Sequence, residues 1–126
     1  FQKEVADRIT SKSGTKNYGR LAVLTQLFSD AEQKFDIPKN CFRPQPKVMS
    51  SIIHFEALSE TRYPCNFKLL EKIVFLAFNQ RRKTLKNSLS SLHNEITTVL
   101  ENCNICPSSR AQNLTLHQYC NLSLKI

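Results

Sequence analysis

Two groups of side chains in this sequence have the types and spacing for chemistry on a polyanion that carries flat bases. The first is Phe42-Arg43-Pro44-Gln45-Pro46-Lys47, an aromatic followed by two prolines at alternate positions and flanked by cations. Proline fixes φ, cannot donate from its backbone nitrogen, and pushes the preceding residue out of the helical region, so Pro44 to Pro46 predict a stiff extended loop. A ring held on such a loop at the mouth of a strand is placed to stack on a base. The same ring equally fits the core beside a tight corner. The second group is Arg62, Lys68, Lys72, Arg81, Arg82, Lys83 and Lys86, among which Glu71 is the only acid from Arg62 to Leu89. A charge run is ordinarily a solvated face, but solvated faces mix signs. An unpaired cluster suits phosphate.

Composition agrees with such a partner. The chain has 126 residues, with 18 Lys and Arg against 10 Asp and Glu, for a net charge of +8. Charge of this sign admits RNA, DNA or an anionic membrane surface. No apolar run approaches the ~20 residues of a spanning helix, and Phe1-Gln2-Lys3-Glu4 has no charged-then-apolar leader pattern. The first residue is not Met, which predicts a fragment whose start lies upstream. The five cysteines, Cys41, Cys65, Cys103, Cys106 and Cys120, are odd in number and scattered, as expected of reduced thiols in a cytosol-like compartment. Cys103-Asn104-Ile105-Cys106 has metal-ligand spacing, and His117 and Cys120 would complete a zinc site. Semi-buried free thiols fit the same pattern and are the reading adopted, with no metal assigned.

The elements that must position these groups read as follows. Gln2 to Thr10 is helix-competent, with Val5 and Ile9 four apart. A polar loop, Ser11 to Lys16, leads to a helix from about Tyr18 to Phe28, capped by Asn17, whose inward stripe is Leu21, Leu24, Leu27 and Phe28. Ala31 to Ile37 is a candidate strand, Pro38-Lys39-Asn40 a turn, and Val48 to Leu58 a strand of a covered sheet. Residues 1–60 thus look like the tail of an α/β sheet, with too few strands to bury both faces. A polar linker ends at Pro64, and residues 61–126 read as a small all-α domain of four short helices. Asn66 caps Phe67 to Phe78, with Phe67, Leu70, Ile73, Val74, Ala77 and Phe78 inward. Leu85, Leu89 and Leu92 face inward in the next helix; relative to Leu85, Arg82 falls near ~60°, Lys86 near ~100° and Lys83 near ~160°, three cations on one flank. Asn94 to Glu101 is a third helix, and Thr115 caps a last one carrying Leu116, Tyr119, Cys120 and Leu124.

These residues resemble a known family. Phe42-x-Pro-x-Pro-Lys47-Val48-x-Ser50 before an apolar strand resembles the loop-strand motif of ribosomal RNA adenine dimethyltransferases. Gln2-Lys3-Glu4-Val5-Ala6-Asp7-Arg8 and Tyr18-Gly19-Arg20-Leu21-x-Val23 are similar to the family's preceding segments. Ala77-Phe78-x-Gln80-Arg81-Arg82-Lys83-Thr84-Leu85-x-Asn87-Ser88-Leu89 and Arg110-Ala111-x-x-Leu114-Thr115-Leu116-x-x-Tyr119 are similar to its helical domain and closing segment.

The resemblance implies a Rossmann-like methyltransferase sheet followed by a helical RNA-binding domain. It implies transfer of two methyl groups from S-adenosylmethionine to N6 of each of two adjacent adenines near the 3′ end of small-subunit rRNA. It further implies a cytoplasmic monomer acting on the pre-ribosomal small subunit, with no metal and no membrane. Phe42, held by Pro44 and Pro46, inherits contact with the target adenine. Arg43 and Lys47 would approach nearby phosphates, and Arg81, Arg82, Lys83 and Lys86 would bind RNA. Met49 stands where the family commonly has Asp or Asn. The glycine-rich donor loop and the Asn/Asp-Leu/Ile-Pro-Tyr/Phe stretch are absent, so both are expected upstream and the chain alone is expected to be inactive. Two other readings stand beside this one: a non-catalytic RNA-binding module or remnant, and a macrolide-resistance methyltransferase acting on large-subunit rRNA. The Gln80 to Leu85 run favours the small-subunit enzyme over the latter.

Overall fold

An antiparallel hairpin and six helices make up the computed structural model, which describes residues Phe1–Ile126. Helix α1 (Lys3–Ile9) packs on the hairpin β1 (Ser29–Ile37) and β2 (Ser50–Ala57), whose register runs from Ser29↔Ala57 to Ile37↔Ser50. A bulge between Gln33 and Phe35 leaves Lys34 without a partner, while Gln33 stays paired with Ile53. The Gln33 side chain joins the pieces: the amide donates to Asp7 Oδ1 and Thr10 Oγ1, both at 2.9 Å, and the carbonyl accepts from Lys3 Nζ at 3.0 Å and Ser51 Oγ at 3.2 Å. These bonds explain how Ser51 can be wholly buried near the start of an otherwise open strand.

Asp7 is held below its ordinary carboxylate value, first by the Gln33 amide and then by Lys3. A lowered folded pKa stabilises the fold above the unfolded value of 3.8, and that stabilisation is lost as pH falls through the folded value. The melting temperature of Asp7→Asn is therefore expected to lie below wild type at neutral pH. The gap should close in melts taken below pH 3.8.

Strand β2 reads as covered in the sequence, yet Ile52 and Phe55 are 38 % and 39 % exposed. The hairpin is the only sheet here: the face carrying Ile52 has nothing packed against it, and the opposite face, which carries Ser51 and Phe55, is covered only in part. On the far edge of β2, Phe1 and Ser51 exchange backbone bonds, and Lys3 N–H donates to the Met49 carbonyl at 2.8 Å. Phe1 also meets Phe55 edge-on at 6.0 Å. Met49 thus uses its backbone to hold α1, while its side chain is exposed.

Helix α2 (Arg20–Phe28) begins after Gly19, with no side-chain cap from Asn17. Its buried residues are Ala22, Val23 and Leu27; Leu21 and Phe28 face solvent, and Leu24 is half-buried. Apolar residues surround this helix, so periodicity alone does not select a face. Contact with the helix α3 (Phe67–Asn79) selects the face carrying small Ala22. Gly14, at φ 84°, supplies the left-handed turn between α1 and α2, and its N–H donates to the Gln112 carbonyl at 2.7 Å.

Three more helices follow: α4 (Leu85–Ser88), α5 (Ile96–Asn102) and α6 (Leu116–Lys125). The caps form as local chemistry dictates. Asn66 Oδ1 accepts from Leu69 N–H at 3.3 Å, and Thr115 and Gln118 form a reciprocal capping box. Twenty buried side chains form one core, which includes Tyr18, Ala22, Val23 and Leu27 as well as residues of α3 to α6. In α6, Leu122 and Ser123 are buried and Leu124 is exposed, whereas the sequence placed Leu124 inward. Phe67 likewise lies outside the core.

Candidate RNA-binding face

Phe42 is 38 % exposed, which excludes the core position and leaves the ring open to a partner. Its loop is not a straight extended run. A 3-10 turn, Lys39–Cys41, precedes it, the chain bends through Phe42 to Pro44, and the Arg43–Pro44 peptide is cis. Phe42 N–H donates to the Lys39 carbonyl at 3.3 Å, which ties the ring's backbone to the turn before it. Arg43 and Lys47 are exposed and neither enters an ion pair. Pro44 is exposed and Pro46 half-buried. The loop therefore offers one aromatic face and two free cations.

The basic run is arranged otherwise than a helical wheel predicts. Helix α3 ends at Asn79 and α4 begins only at Leu85, so Arg81, Arg82 and Lys83 lie on a turn and Lys86 alone is helical. The cause is Thr84, whose backbone bridges Arg110 and must be extended there. The carbonyls of Ser109 and Pro107 then accept from Leu85 and Lys86 N–H, at 2.8 and 3.2 Å, and satisfy the start of α4. Arg82, Lys83 and Lys86 are exposed and unpaired. Residues Asn79 to Lys83 line a concave surface of about 430 Å³.

Arg81 differs from its neighbours. It donates to the Lys16 carbonyl at 2.8 Å and to Gln112 Oε1 at 3.3 Å, and its guanidinium lies over the Phe78 ring at 5.7 Å. It braces three segments before it touches any ligand. Arg62 is also committed, to the carbonyls of Gln26 and Ser29 and to Asp30. Sequence reasoning missed a second cationic cavity of about 490 Å³, lined by Arg8, Lys16, Arg20 and Arg81 among others. These residues lie far apart in the chain, and only the packing of α1, α2 and the turn assembles them. No cavity is lined by both the Phe42 loop and the basic turn.

The cysteines are all free, and no group of three His, Cys, Asp or Glu is placed to hold a metal ion. His117 stacks on Tyr63 at 4.4 Å instead of turning toward the thiols. Burial pushes the Cys120 thiol up to about 12, whereas the Ser108 hydroxyl and backbone beside Cys106, with its Oγ 2.9 Å from the sulfur, hold that exposed thiol below its ordinary value. A disulfide reagent at pH 8 is thus expected to label Cys106 early, and Cys120 only as the protein unfolds. Peptide mass spectrometry along the time course checks the order.

The donor implied by the resemblance needs a glycine turn against which its backbone-hugging part can lie. The two glycines, Gly14 and Gly19, have open space where a Cβ would be, and neither cradles anything. The residues of this chain do not fit S-adenosylmethionine, and no transfer step is derived from them. No helix is long and apolar enough to cross a membrane.

Comparison with known proteins places this arrangement. The family model described as ribosomal RNA adenine dimethylase matches residues 1–126. A ribosomal RNA small subunit methyltransferase A from Wolbachia pipientis wMel is 45 % identical over 123 residues, covering 98 % of this chain and 43 % of that protein. The protein of the same name from Paracoccus denitrificans is 46 % identical, covering 98 % of this chain and 44 % of its own length. The chain thus spans less than half the length of these relatives. Among solved structures, a dimethyladenosine transferase from Plasmodium falciparum superposes with a TM-score of 0.83 at 25 % identity, over 98 % of this chain and 54 % of that one. The 23S rRNA methyltransferase ErmE shares the fold, with a TM-score of 0.63 at 22 % identity over 98 % of this chain and 51 % of its own. The chain belongs to the ribosomal RNA adenine dimethylase family.

Proposed function

We propose that residues 1–126 are the RNA-engaging C-terminal part of an S-adenosylmethionine-dependent methyltransferase. Its reaction is dimethylation of N6 on each of two adjacent adenines near the 3′ end of small-subunit rRNA. The observation that carries the reading is the exposed Phe42 ring on its proline loop, flanked by unpaired Arg43 and Lys47. A ring so presented can stack on an adenine, at ~1–3 kcal/mol per base, while the two cations meet the adjoining phosphates. Arg82, Lys83 and Lys86 grip RNA backbone elsewhere, and Arg81 holds their turn in shape. The Gln80 to Leu85 run supports the small-subunit substrate over a large-subunit one. We assign residues 1–60 to the methyltransferase sheet, residues 61–126 to the helical RNA-binding part, and the protein to the cytoplasm, as a monomer on the pre-ribosomal small subunit.

Adenine N6 is a poor nucleophile and needs the donor held in line with it. We assign the donor site to residues outside this chain. Titration calorimetry of residues 1–126 is expected to give no saturable S-adenosylmethionine binding, while a structured rRNA fragment binds. A tight one-to-one donor complex with this chain would overturn the division of labour.

A further inference from the structure

We infer that the outer face of α3, with both ends of α2, is a second RNA-binding surface, shaped for unpaired bases. Phe67, Lys68, Glu71, Lys72 and Phe75 recur at helical spacing along one stripe of α3, and all five are exposed. An outward helix face ordinarily carries polar residues. This one carries two rings, 39 % and 44 % exposed. Phe28, at the end of α2 and itself exposed, meets Phe67 edge-on at 5.3 Å. Arg20, at the start of α2, lies over the Phe75 ring at 5.1 Å.

Three exposed rings are therefore set among Arg20, Lys68 and Lys72, one of them, Phe75, with the Arg20 guanidinium over it. Glu71 is the one acid on the stripe, and none of these four charges enters an ion pair. Rings interleaved with unpaired cations are what a single strand requires: each ring takes the face of a base and the neighbouring cation meets a phosphate. From Phe67 to Phe75 the stripe runs about 12 Å along the helix axis, long enough for more than one base. The guanidinium over Phe75 extends the platform, because a flat arginine stacks bases as a ring does. A protein partner would also welcome the rings. The excess of cations, on a chain of net charge +8, favours a polyanion over it.

This inference rests on RNA being the substrate, and the test separates the two. The probes are a labelled 12-nucleotide single-stranded RNA and an abasic oligomer of equal length, each titrated with residues 1–126. Wild type is expected to prefer the RNA. Phe67→Ala with Phe75→Ala should remove that preference by weakening RNA binding about tenfold, with the abasic oligomer unaffected and the melting temperature unchanged. Lys83→Gln with Lys86→Gln, on the other surface, should weaken both probes together. Unchanged single-strand binding in the double-alanine variant overturns the inference alone, and so does an equal loss on both probes. No RNA binding by wild type overturns both this inference and the proposed function.

Discussion

Phe42→Ala is expected to remove most methyl transfer to rRNA while leaving the melting temperature nearly unchanged. The assay uses a chimera in which residues 1–126 replace the matching segment of the Wolbachia pipientis relative, which supplies the rest of the protein. The ring is 38 % exposed, so truncation opens no core cavity. What is lost is the stacking that holds the target base, worth ~1–3 kcal/mol, or roughly five- to 150-fold in single-turnover rate. Phe42→Tyr and Phe42→Trp should recover part of it, since either ring still offers a flat face. Had the ring been a core residue, truncation would cost ~3–5 kcal/mol of stability, and activity would fall only with the folded fraction. Measuring both quantities on one sample separates the cases, and a large melting loss would remove Phe42 from the substrate contact.

The second large effect is expected at the turn between α3 and α4. Changing Arg82, Lys83 and Lys86 together to Gln should weaken binding of structured rRNA on the order of ten- to a hundredfold, with little dependence on sequence. The slope of log affinity against log salt should flatten by about one unit per lost contact. Arg81→Gln should behave differently, because its guanidinium ties the Lys16 carbonyl, Gln112 and the Phe78 ring together. That variant should lose about 1–2 kcal/mol of stability with a smaller change in salt slope. An unchanged slope in the triple variant would reduce these cations to a solvated face.

The caps at Asn66 and Thr115 were legible in the sequence because each is a local event, a short polar side chain reaching an N–H three residues on. The two strands were legible unequally: Val48 to Leu58 is strand-forming by type, Ala31 to Ile37 carries Glu32, Gln33 and Lys34 and is only a candidate, and their antiparallel pairing came from the fold. What could not be read depends on tertiary contact. The inward face of α2 rests on its fit to α3, and the break before α4 rests on a backbone bridge between Thr84 and Arg110. Arg62 and Arg81 look like free cations in the sequence, and only the fold shows each spent on carbonyls from distant segments. Phe67 shows the opposite error. Its type and spacing read as inward, and the fold leaves it 39 % exposed; Phe75 lies outside the inward stripe from the start. The Phe42 site was legible as residue types, because two prolines constrain their neighbours locally. Whether its ring pointed inward or outward was a question for the fold.

The most direct measurement of the central claim is nucleoside mass spectrometry, with site mapping, of rRNA treated with the chimera and S-adenosylmethionine. The expected result is N6,N6-dimethyladenosine at two adjacent adenines near the 3′ end of small-subunit rRNA, formed roughly five- to 150-fold more slowly by the Phe42→Ala form. Methylation confined to large-subunit rRNA, or none at all from a folded chimera, would contradict the account.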